Sequence, residues 1–227
     1  MKISTEFSKY AKEYAVLNQI QNQVVQKLLS LYKKEGKNIL DLGCGSGALC
    51  KNIEWDYEHF TGVDFAPGML ELHPKADNIE SIYGNFNDKT LFEHLLANHY
   101  DVIFSASALQ WSENLERTFT YIKSLQTPVA LAIFTANTFK TLNETAGLQS
   151  LLQSAEQIER LQKKYFDAHF EVVHYKLEFE SVRDMFSYIK RSGVSGSRQV
   201  LSFKETKKLM YTYPLNYLEF EVAFIVE

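Results

Sequence analysis

Between residues 39 and 47 the chain reads Ile-Leu-Asp-Leu-Gly-Cys-Gly-Ser-Gly. An apolar stretch ends, three glycines follow at alternate positions (Gly43, Gly45, Gly47), and a helix-forming stretch begins. Glycine in such a turn permits positive φ and lets a ligand approach the main chain closely. Asp64 lies about twenty residues beyond the first glycine, where an acid suits the hydroxyls of a ribose diol. The alternate spacing differs from GxGxxG, which packs a pyrophosphate against a helix N-terminus. Asp41, just before the turn, would repel pyrophosphate but suits a ligand with an amino group, directly or through water. A bare tight turn would also use glycines, but Asp64 at the end of a second apolar stretch argues for a ligand.

These residues need elements to hold them. Asn38–Leu42 reads as a short buried strand, followed by a helix over 46–54. Phe60–Asp64 is a second strand, and Pro67 opens the next helix where its missing N–H is harmless. Ser81–Tyr83, Tyr100–Ser105 and the wholly apolar Val129–Phe134 supply three more strands, the last suited to the centre of a parallel sheet. Strands alternating with helices predict an α/β fold with a mostly parallel sheet covered on both faces. Residues 5–35 read as helix, with Leu17, Ile20, Val24, Leu28 and Leu31 as its apolar stripe. Phe170–Phe179 and Tyr217–Val226 are long and aromatic, with a helix over 181–192 between them. They predict an antiparallel pair at one edge of the sheet.

The whole chain, 1–227, is expected to be a single domain. Residues 1–35 form a helical cap, 36–135 the ligand-binding core, and 136–168 and 181–200 a helical lid. At 227 residues, two independent domains would be tight.

Composition narrows the partners. The net charge is −4, with 24 basic and 28 acidic residues, which does not suit a nucleic-acid binder. Lysines cluster at 33, 34 and 37, at 163 and 164, and at 204, 207 and 208. These are solvated helix faces or a docking patch for an acidic partner. The two cysteines, Cys44 and Cys50, fit neither a redox pair nor a zinc framework and read as reduced thiols of a cytoplasmic protein. Scattered histidines give no metal expectation. The apolar runs are too short to span a membrane, and a monomer is expected.

The run ILDLGCGSG resembles motif I of class I methyltransferases dependent on S-adenosylmethionine (SAM), and VDFAPGML resembles their second motif. The similarity spans roughly residues 35–135 and implies a Rossmann-like sheet with SAM as cofactor and S-adenosylhomocysteine as product. It implies that Gly43, Gly45 and Gly47 line the methionine portion, with Asp41 beside them. Asp64 would hold the ribose, and Phe65 and Met69 would flank the adenine. Asn85 and Phe86 fall where the family often carries an acid for the adenine amine, which an Asn carbonyl oxygen could also meet. Ser105 joins the cofactor set.

A narrower resemblance lies outside these motifs. Phe7-Ser-Lys-Tyr-Ala11-Lys-Glu-Tyr14 is similar to the FxxxAxxY opening of the biotin-pathway malonyl-acyl-carrier O-methyltransferases (the BioC family). Ser105–Trp111, Thr135–Leu142, Ser181–Met185 and Ile189–Val194 are similar to further stretches of that family. An acidic Leu-Pro-Phe stretch before the fourth strand and a Pro-Gly-Gly before the fifth are missing. The resemblance implies methylation of the free carboxylate of a malonyl thioester on acyl carrier protein, or on coenzyme A. It places Tyr14, Gln110 and Arg191 in catalysis. It places Tyr10, Trp111, Lys190 and Arg198 against the substrate, whose anion calls for a cation. The alternatives are a SAM-dependent methyltransferase of another small molecule, a SAM-binding protein without chemistry, and a nucleotide-dependent dehydrogenase, which the glycine spacing disfavours.

Overall fold

The computed structural model describes Ser8 and residues 18–192 and 202–227, with backbone alone at 190–192 and 203. In chain order it runs α1 (Gln19–Leu31), β1 (Asn38–Leu42), α2 (Ala48–Asn52), β2 (His59–Asp64), α3 (Pro67–Leu70), β3 (Ile79–Tyr83), α4 (Lys89–Leu95) and β4 (Val102–Ala106). A 3₁₀ turn (Leu109–Trp111) leads to α5 (Leu115–Ser124), β5 (Val129–Phe134), α6 (Lys140–Ala146), α7 (Ala155–Tyr165), β6 (His169–Glu178), α8 (Val182–Ser192), α9 (Phe203–Thr212) and β7 (Tyr217–Val226).

The seven strands form one sheet in the order β3-β2-β1-β4-β5-β7-β6. β1 to β5 are parallel, and β7 runs antiparallel between β5 and the edge strand β6. The chain thus winds outward from β1 to β3, returns to β4 and winds the other way. The carboxyl ends of β1 and β4 flank the point where the winding reverses. There the loops diverge and leave a crevice.

Alternation along the strands feeds two cores. On one face Phe104, Ala132, Phe220 and Phe224 meet Ile20, Val24 and Leu28 of α1 and Met185 of α8. On the other, Ile103, Leu131, Ile133 and Ile225 meet Phe119 of α5 and Ile158 of α7. The sequence-predicted stripe of α1 is the packed one: Ile20, Val24 and Leu28 are fully buried, while Leu17 lies outside the described residues. Several helix starts are fixed by side chains, as their sequences require. Ser154 and Gln157 form a reciprocal capping box at α7, and Ser202 and Glu205 do so at α9.

The expected lid is distributed differently. α7 lies against the sheet, its Ile158 and Leu161 buried with Phe166 beneath α5. An amphipathic helix gains most by laying its apolar stripe on an open sheet face, and α7 does so. α8 packs likewise on the opposite face through Met185 and Tyr188. Residues 193–201, the rest of that expected lid, are outside the described set.

Ile158→Ala tests this layer assignment. The side chain is fully buried, so the loss in stability is expected to be about 2–5 kcal/mol, read from chemical denaturation. A residue on a free lid would change stability little.

Candidate functional site

The crevice at the reversal point is an open cleft. Its wall comes from the turn after β1 (Asp41, Gly43, Cys44, Gly45), the end of β2 and start of α3 (Asp64, Phe65, Met69), Phe86, the loop after β4 (Ser107, Ala108, Trp111) and α1 (Asn18, Gln21, Val25).

The turn is held by main-chain bonds. The amides of Gly43 and Cys44 both donate to the Val63 carbonyl, at 2.8 and 3.0 Å, which folds the turn over the end of β2. Gly43 has φ +79°, and a Cβ there would fall 2.2 Å from the Ala108 Cβ. Both facts demand glycine. Gly47 is the N-cap of α2 at φ +81°, and its Cβ would meet Pro74 Cδ at 2.3 Å. It therefore packs the turn against residues 73–74 and does not line the cleft.

Ser105 is placed differently from the expectation. It is fully buried, and its hydroxyl donates to the Leu42 carbonyl at 2.6 Å. It ties β4 to the end of β1 beneath the turn and does not face the cleft.

The two acids carry the electrostatics. Asp64 is anchored at both oxygens: Oδ2 accepts from the Gly45 amide at 2.9 Å and Oδ1 from the Ala66 amide at 2.8 Å. Burial raises its pKa, and these amides pull it back. The carboxylate has more acceptor sites than these amides fill, which leaves it able to accept from a ligand hydroxyl. Asp41 is more extreme. It is buried, its Oδ1 has no hydrogen-bond partner, and burial first, then the charge of Asp64, pushes its pKa up to about 8.

Phe65, Met69 and Phe86 supply the apolar wall expected for an aromatic base. Asn85 does not join them. It is exposed, and its Oδ1 accepts from both the amide and the side-chain nitrogen of Asn87 at 3.0 Å. Both lone pairs are engaged in a local Asx turn, so the expected meeting with an adenine amine is not built. Trp111 lines the cleft, whereas Gln110 does not: its Nε2 donates to the Ser107 carbonyl at 2.6 Å and pins the loop. Tyr10, Tyr14 and Arg198 lie outside the described residues, as do the side chains of Lys190 and Arg191 at the end of α8. Ser8 receives a hydrogen bond from the Gly68 amide at 3.3 Å, which places Ser8 beside α3.

Sequence reasoning missed Ser107, Asn18 and Gln21. Ser107 sits at φ +64°, and its buried hydroxyl has no partner. Only the bend at the end of β4 demands this conformation, so nothing in its own sequence marks it. Asn18 and Gln21 are three apart, off the apolar stripe of α1. That spacing was the available signal.

The cleft fits SAM. It offers an anchored acid for a diol, an apolar wall for a base, and buried acceptors at Asp41 and Gln21 for an ammonium group. Among the described residues, no three His, Cys, Asp or Glu side chains come together to hold a metal.

Residues 40–134 match the family model described as a methyltransferase domain. A malonyl-[acyl-carrier protein] O-methyltransferase of Acetivibrio thermocellus is 27% identical, over 87% of this chain and 79% of its own length. The YcgJ protein of Bacillus subtilis shares the fold at a TM-score of 0.63 and 12% identity, over 90% of this chain and 98% of its own. A phosphoethanolamine N-methyltransferase of Haemonchus contortus, in complex with SAM, does so at 0.54 and 15%, over 89% of this chain and 52% of its own.

Asp41 gives a pH-dependent prediction. Between its ordinary pKa near 4 and about 8 in the fold, the folded chain keeps a proton that the unfolded chain releases. This group therefore lowers stability progressively as pH rises through that window, and fully above it. Asp41→Asn is expected to raise the melting temperature at pH 8–9, to lose that advantage towards pH 4, and to weaken S-adenosylhomocysteine binding. Thermal melts across pH, with calorimetry for binding, check both.

Proposed function

For this chain, a class I SAM-dependent methyltransferase most like the malonyl-acyl-carrier O-methyltransferases, we propose that the acceptor is the free carboxylate of a malonyl thioester. Acyl carrier protein presents it, and the methyl ester formed enters the pimeloyl branch of biotin synthesis. The observation that carries this reading is the likeness to curated relatives of that name along most of the chain, 87% of it for the A. thermocellus protein. The site's chemistry supports it. Among the described residues, the titratable side chains lining the cleft are Asp41, Cys44 and Asp64, all with pKa values raised by burial. The two acids are assigned to the cofactor, which leaves no base for deprotonating an alcohol or amine among the described lining residues. A carboxylate acceptor needs none.

SAM supplies an electrophilic methyl group on a sulfonium. The protein's part is to hold donor and acceptor in line and exclude water. Asp64, with its oxygens fixed by Gly45 and Ala66, takes the ribose. Phe65, Met69 and Phe86 take the base, Asp41 the amino-acid end, and Trp111 walls the acceptor side. Tyr14 and Tyr10 are assigned to close the site. Lys190, Arg191 and Arg198 supply the cation for the malonyl carboxylate. Gln110 holds the wall in place through the Ser107 carbonyl.

A rival small-molecule acceptor would need a base. His174, bonded to buried Glu221 at 2.8 Å, has the chemistry for one. It stands on β6, three strands from β4, so about 14 Å away at ordinary strand spacing. That distance disfavours it. The buried free thiols Cys44 and Cys50 suit a reducing cytoplasm, and we assign the working unit as a monomer.

The test is mass spectrometry of malonyl-loaded carrier protein mixed with enzyme and SAM. The expected result is the gain of one methyl group on the malonyl moiety. Alanine at Arg191 or Arg198 should raise KM for the malonyl substrate by about tenfold or more while leaving SAM affinity intact. SAM binding without transfer would overturn the malonyl assignment and favour another small acceptor.

A further inference from the structure

Gln21 projects from the first described helix into the cofactor cleft. Three residues of α1 and its N-cap, Asn18, Gln21 and Val25, form one stripe facing the cleft, while Ile20, Val24 and Leu28 face the core. The Gln21 side chain is buried, 7% exposed, and its Oε1 has no hydrogen-bond partner. A buried amide oxygen left without a donor is unfavourable in the free protein, and a leucine in its place would avoid the cost. Gln21 is therefore not explained by packing.

The same cleft contains a second orphan acceptor, Asp41 Oδ1. Gln21 on α1 and Asp41 at the end of β1 both line this cleft. A ligand group able to satisfy both must carry several N–H donors in a small volume, as an ammonium with three does. We propose that Gln21 Oε1 accepts a hydrogen bond from the α-ammonium of SAM. Gln21 then acts as a recognition residue that makes the cleft discriminate for the amino-acid end of the donor. Its neutral oxygen complements Asp41 without adding a third carboxylate beside Asp41 and Asp64, whose mutual repulsion already contributes to the raised pKa of Asp41. This inference rests on the cofactor and is independent of the acceptor.

The test compares three ligands on wild type and on Gln21→Leu by calorimetry. They are S-adenosylhomocysteine, its deamino analogue (which keeps the carboxylate) and 5′-methylthioadenosine (which lacks the whole amino-acid end). Gln21→Leu is expected to weaken S-adenosylhomocysteine by about tenfold or more and to leave the other two within about twofold. The melting temperature of the free protein should be unchanged or higher, since an orphan acceptor is removed. Equal weakening of all three ligands, or of none, would overturn the assignment. Weakening of the deamino analogue along with S-adenosylhomocysteine would overturn it too, because the amide would then be serving the carboxylate. Gln21→Met, unbranched and of similar length, is the second variant should leucine disturb the helix, and the same three ligands decide it. In the wild type, binding of the deamino analogue as tight as that of S-adenosylhomocysteine would remove the basis for an ammonium contact.

Discussion

Two carboxylates are buried at the ends of adjacent strands, Asp41 on β1 and Asp64 on β2, and the ligand end of the fold is arranged around them. In the pairing of these strands Leu42 stands opposite Val63, so the acids are neighbours across the sheet. Their charges oppose one another in a place with little water. Asp64 is eased by the amides of its own loop, Phe65 and Ala66, and by the Gly45 amide that the glycine turn presents. Asp41 has no such relief and holds its proton up to about pH 8. Below that pH Asp41 is neutral and Asp64 carries the charge, and a cationic group bound beside Asp41 would favour its ionised form.

The supports of this arrangement lie one layer further out. Ser105 satisfies the Leu42 carbonyl from β4, Ala108 fills the space that a Cβ on Gly43 would need, and Gln110 fastens the loop carrying Ser107 and Trp111. None of the three needs to touch a ligand to matter. Each fixes the position of a group that lines the cleft, so its removal would loosen the site without altering its chemistry.

What the sequence made legible follows from how local each feature is. The glycine turn, Asp64 and the five parallel strands are written in contiguous stretches whose periodicity and end signals need no partner to be read. The antiparallel pair was equally readable, because ten-residue aromatic strands have few other uses. Ser105 and Asn85 were misread because their roles depend on a neighbour. A serine at the end of a strand looks the same facing a ligand or facing the carbonyl next door, and Asn85 spends its oxygen on Asn87, two residues on. α7 was taken for a lid because its composition is polar. Its few apolar residues fall on one stripe, and that stripe decides where it packs.

The loop after β5 is held by a different rule. The loop after β5 is clamped from β7 by two glutamates. Glu219 receives the amide and hydroxyl of Thr141, each at 2.9 Å. Glu221 accepts from Thr135, from Asn137 and from His174. The bonds from Thr135, Asn137 and Thr141 join segments 78–86 residues apart, whereas the cofactor turn closes within about the first third of the chain. Contacts so distant in sequence can change together without disturbing the glycine turn or its acids.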